Sequence, residues 1–138
     1  IENRHGSSLT EEEKLLLFGT ITSGDEEYSA RSLWESAPKN PAYYASYLLS
    51  LINDNQPLPA DMIALGDEID PGNAFYRILA ASEAINNTLD EVSDETPPSS
   101  LNYAKLGAEI ASLKDIEGMP RYARYHLQLL RERFAILP

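Results

Sequence analysis

Along most of this chain apolar residues recur three and four positions apart, the spacing that gathers them on one face of an α-helix. No stretch has the strict alternation of a convincing strand. Thr10 followed by Glu11, Glu12 and Glu13 reads as a helix start, with Thr10 as N-cap and Glu13 closing a capping box. A helix over about 10–22 follows. Ser23, Gly24 and Asp25 end it and cap a second helix, whose apolar positions Tyr28, Ala30, Leu33, Trp34 and Ala37 stop before Pro38.

Asn40 then caps a third helix with Pro41 at its first position, where a missing N–H costs nothing. Tyr43, Tyr44, Tyr47, Leu48, Leu51 and Ile52 form its broad apolar face. After a turn holding Asp54, Asn55, Pro57 and Pro59, helical spacing returns over 60–69, which predicts a hairpin. Asp70, Pro71, Gly72 and Asn73 break and recap the chain before a fifth helix over 74–88. The acidic, proline-bearing stretch at about 89–100 predicts a mobile loop, and residues 1–8 a flexible N-terminal segment. Helical spacing resumes through Leu106, Ile110, Leu113 and Ile116, ends at Gly118, and restarts after Pro120 with Tyr122, Tyr125, Leu129, Leu130, Phe134 and Leu137. The reading is all-α, about seven helices, in a single helical-repeat domain over 9–138.

Composition supports a folded chain. With 138 residues, 43% of them apolar and 24% charged, it can bury about two-thirds of its unfolded surface in one domain. No apolar run approaches a membrane span. The chain starts at Ile1 rather than Met, which reads as a processed or truncated piece of a longer protein. An upstream signal or anchor would make it extracytoplasmic or membrane-tethered, so the sequence leaves its compartment open. The lack of cysteine excludes disulfides and thiolate chemistry and fits either redox environment.

A formal net charge of −11 argues against nucleic-acid binding, which needs a positive field to displace counterions from phosphates. The charge is uneven, however. Residues 119–138 carry Arg121, Arg124, Arg131 and Arg133 against Glu132 alone, so this basic end either packs on acidic neighbours or receives an acidic partner.

Two turns repeat. Pro38-Lys39-Asn40 with Tyr43 and Pro71-Gly72-Asn73 with Tyr76 stand 33 residues apart, a period that points to stacked helical hairpins. Asp70-Pro71-Gly72-Asn73-Ala74, with the small Gly66 shortly before it, resembles the hairpin closure of the tetratricopeptide repeat over roughly 36–82. The acidic loop departs from that family's short turn. The last segment, Met119 through Phe134, is similar to the closing helix of divergent repeat-like domains in large bacterial proteins of unassigned role. The resemblance implies a right-handed array of antiparallel helix hairpins that binds a protein or peptide in a concave groove, without catalysis or cofactor.

Candidate chemistry is sparse. The two histidines, His5 and His126, fall in the N-terminal segment and on the last helix, a poor start for a metal site. No serine sits in a nucleophile elbow, no glycine loop could cradle phosphate, and 22 acids guarantee chance carboxylate pairs. Asn86-Asn87-Thr88 matches a glycosylation acceptor only formally. The eight tyrosines say more, because aromatic rings with a polar edge suit interfaces, although helical aromatic stripes also line cores. Tyr43, Tyr44, Tyr47, Tyr76, Arg121 and Arg124 are therefore the candidate partner-binding residues. The expected role is a noncatalytic interaction or scaffold module, the alternative an accessory or lid domain of an enzymatic or transport protein in the same chain. Oligomeric state is not readable from the sequence.

Overall fold

The computed structural model describes residues 9–18, 29–90 and 103–136. Among these the fold is all-α: α1 (Glu11–Phe18), α2 (Ala30–Ser36), α3 (Pro41–Asn53), α4 (Met62–Ile69), α5 (Phe75–Asp90), α6 (Tyr103–Ser112) and α7 (His126–Ile136). A 3₁₀ turn over Leu113–Ile116 continues α6. Strands are absent from the described residues, where a single parallel bridge joins Asn73 to Arg121. The N-terminal segment 1–8, the stop at 23–25 and most of the acidic loop lie outside the described residues; Leu89 and Asp90 belong to α5.

Local capping chemistry places the helix ends. At α1 the capping box is reciprocal: the Glu13 carboxylate accepts from Thr10 N at 2.7 Å and Thr10 Oγ1 at 2.9 Å, while Glu13 N donates to Thr10 Oγ1 at 3.2 Å. Those bonds, the Thr10 N–H first, hold Glu13 below the usual carboxylate range. Thr10→Ala should destabilise the fold by about 1 kcal/mol, a deficit readable as a lower urea midpoint at unchanged slope. Ser29 caps α2 by accepting from Ser32 N, and Asn40 Oδ1 caps α3 by accepting from Ala42 N at 3.0 Å, with Pro41 opening the helix.

The described helices form two units, 1–59 with 124–138 and 60–123. In the first, α2 packs on α1 and α3, and α7 packs on α1 and α3. Leu16, Leu33, Ala42, Tyr43 and Leu129 make its core, with Trp34, Tyr125 and Ile136 against them. Arg133 fastens the returning helix, its Nε donating to the Leu16 carbonyl at 2.8 Å; burial pushes the guanidinium below its ordinary range. A stack of repeats touches only successive neighbours. The packing of α7 on α1 and α3 departs from that order.

In the second unit α4 packs on α5, and α5 on α6 and the 3₁₀ turn. Between α4 and α5 the chain reverses through Asp70-Pro71-Gly72-Asn73. Asn73 N donates to Asp70 O at 3.3 Å and Gly72 has φ +77°, as a type II turn with Pro then Gly requires. Arg77 grips Asp67 with two bonds of 2.9 and 2.7 Å, joining the two helices.

The expected helix after Pro120 starts late, at His126. Backbone groups of the preceding segment are taken by the α4–α5 turn. Ala74 N donates to the Arg121 carbonyl at 2.8 Å, and the Asn73 side chain both accepts from Ala123 N at 2.9 Å and donates to Ala123 O at 2.9 Å. Residues 121–123 cannot use those groups in a helix, so Tyr122 and Tyr125 do not stand a helical turn apart.

Candidate interaction surface

The six residues singled out by the sequence divide between core and surface. Tyr44 and Tyr76 are fully buried and Tyr43 nearly so. Tyr44 lies against Trp34, ring centroids 5.1 Å apart, and Tyr47 stacks on the same indole at 5.0 Å and 11°. Trp34 Nε1 donates to the Pro38 carbonyl at 3.3 Å, which anchors the indole to the turn between α2 and α3. Tyr76 packs edge-on against Phe75 and directly over Gly66. Tyr43, Tyr44 and Tyr76 thus serve this chain's own packing, which removes their rings from a partner's reach.

Tyr43 keeps its hydroxyl at the edge of the core, donating to Glu12 Oε1 at 3.2 Å. Burial first, then the Glu12 charge, pushes its pKa from 10.0 to about 12. Because the folded value lies above the unfolded one, the stability tied to the neutral phenol is present below about pH 10 and lost as pH rises toward 12. Ultraviolet titration should find a late tyrosinate that Tyr43→Phe removes, and the variant's alkaline loss of stability should be correspondingly smaller. Equal late titration in both proteins would refute this.

Arg121 is half-exposed and pairs with Asp70, a carboxylate only 4% exposed. Asp70 also accepts from Asn73 Nδ2 at 2.8 Å. Around it Asn73, itself fully buried, donates to Asp70 and Ala123 and accepts from Phe75 N and Ala123 N, so both amide protons and both oxygen lone pairs are used. This polar cluster holds a turn together. Its carboxylate and guanidinium face each other, which makes Arg121 a structural cation as well as a surface one.

Arg124 is exposed, as are several large apolar side chains, some on helix faces that the sequence pattern named without direction and others, Leu127 among them, outside that pattern. On α7 these are Leu127 at 67% and Phe134 at 68% exposure, with the exposed Arg131 between them. Positions i, i+4 and i+7 share one side of a helix, opposite Leu129 and Ile136, which face the core. On α6, in the other unit, Tyr103 and Ile110 are exposed on a face with Ala104, Gly107 and Ala111. The signal for the α7 stripe was present in the sequence as two apolar sets on opposite sides of one helix, but spacing alone does not say which set is inward.

The described residues contain no group of three or more His, Cys, Asp or Glu side chains placed to hold a metal ion, and no helix long and apolar enough to cross a membrane. No family model matches the chain, and neither a curated protein nor a solved structure matches it.

Proposed function

We propose that this chain is a noncatalytic interaction module that docks another protein through outward helix faces. The observation that carries the reading is the exposure of Leu127 and Phe134 on the side of α7 away from its core. Large apolar side chains grouped on a surface mark contact sites more often than scattered single ones do. The tetratricopeptide-like turn punctuation supports the same role, since stacked hairpins commonly serve as binding scaffolds.

A photo-crosslinking residue placed at Ile110, at Phe134 and at the exposed control position Lys114 tests the proposal in extracts of cells that make the protein. A discrete adduct with one separate protein is expected from Ile110 or Phe134 and not from Lys114. Adducts confined to another region of the parent chain would favour the accessory-domain alternative. No adduct from either apolar position would sink both.

A further inference from the structure

The α7 stripe has a chemistry that narrows its partner. Leu127, Arg131 and Phe134 lie within about 60° of arc at 100° per residue, and the exposed Arg124 lies in the non-helical segment that leads into α7. Ordinarily the outer pole of a helix packed on a core carries polar groups; two of the most exposed apolar side chains of the described residues occupy it instead. The arginines are also unusual for their setting. In a chain with 22 acidic residues, Arg124 and Arg131 make no ion pair among the described residues, whereas Arg31, Arg77 and Arg121 each do. The stripe is therefore apolar at two points seven residues apart, with the Arg131 charge, which no acid among the described residues pairs, between them.

We propose that this face of α7 docks an acidic amphipathic helix of another protein, a partner class that deepens the interaction reading and rests on it. Two apolar side chains one helical heptad apart match the i, i+3, i+4 and i+7 anchors of a docked helix, and carboxylates flanking those anchors would meet Arg131, with the exposed Arg124 adding positive charge near the start of α7. A second copy of this chain fits less well. Antiparallel pairing of two α7 helices about the midpoint of Leu127 and Phe134 would bring Arg131 against its own symmetry mate, a like-charge contact. A membrane is also disfavoured. An anionic surface would face the whole −11 chain, whereas a docked helix faces only the stripe. The α6 face has no such charge and specifies no partner.

The test uses the full chain and two synthetic helical peptides of about 15 residues, each with a Leu/Phe stripe, one flanked by Glu and one by Lys. Fluorescence anisotropy should detect the Glu peptide and not the Lys peptide. Arg131→Glu should weaken the Glu peptide about tenfold or more and admit the Lys peptide, and the Leu127→Ala, Phe134→Ala double variant should abolish binding. All three side chains are exposed, so unchanged circular dichroism melts would separate lost docking from lost folding. Equal binding of both peptides, or Glu-peptide binding indifferent to Arg131→Glu, would overturn the proposal. So would concentration-dependent dimers that vanish in the double variant, or binding to phosphatidylserine vesicles without binding to the Glu peptide. A partner crosslinked at Ile110 but never at Phe134 would overturn this inference while leaving the interaction module standing.

Discussion

Asn73→Asp should cost about 3–5 kcal/mol at neutral pH, because it removes both amide donors of a fully buried side chain and sets a second carboxylate against Asp70. The 2.8 Å bond from Asn73 Nδ2 to Asp70 Oδ2 becomes a contact between two acceptors, and the Ala123 carbonyl loses its side-chain donor. One of the two carboxyls can relieve the clash by keeping a proton. Its folded pKa then lies above the unfolded one, so the lost stability returns in part as pH falls and is largest once pH rises past that value. Asn40→Asp is the matched control. Asn40 occupies the equivalent turn and accepts from Ala42 N through the same oxygen, and aspartate caps a helix about as well as asparagine. That change should move stability by less than about 0.5 kcal/mol. Urea titrations of both variants at neutral and mildly acidic pH check the pair. A mild Asn73→Asp, or a deficit that grows on acidification, would refute the assigned network.

Gly66→Ala should cost a net of about 1–3 kcal/mol, although alanine is the better helix former. A Cβ at position 66 would lie 2.5 Å from Tyr76 Cγ and 2.6 Å from Cδ2, inside any real carbon contact. Those atoms belong to the base of a fully buried ring rather than to a flexible tip, so the ring or the α4 backbone must shift. Gly107→Ala gives the opposite sign. Position 107 lies in the exposed face of α6 with nothing within 4 Å of the added methyl, and the change should stabilise by about 0.5–1 kcal/mol. Thermal melts followed by far-ultraviolet circular dichroism read both changes, and the lone Trp34 follows the unit containing α2 separately. Stabilisation by Gly66→Ala would mean that α4 and Tyr76 do not approach as described.

Much of the architecture was legible in the residues because its determinants are local. A capping box spans four residues, a Pro-x-Asn turn caps the helix two residues on, and a Pro-Gly pair selects a turn with positive φ. The same reading assigned Gly66 a small-residue role, which the Tyr76 ring explains in steric terms. The candidate surface was less legible. Tyr43, Tyr44 and Tyr76 have the composition of an interface and the burial of a core, and an aromatic stripe reads identically in both cases. Phe134 belonged to the apolar spacing read for the last helix and Leu127 did not, yet both occupy its outer side.

The sequence by itself determined that this chain is helical and where most described helices begin, since backbone donors and acceptors at helix ends are satisfied within a few residues. Tertiary structure decided the delayed start of α7, its inward face and the burial of the tyrosines. Those outcomes depend on partners such as Ala123 for Asn73, 50 positions away, and Leu16 for Arg133, 117 away. No short-range periodicity registers a hydrogen bond or a covered face at that separation.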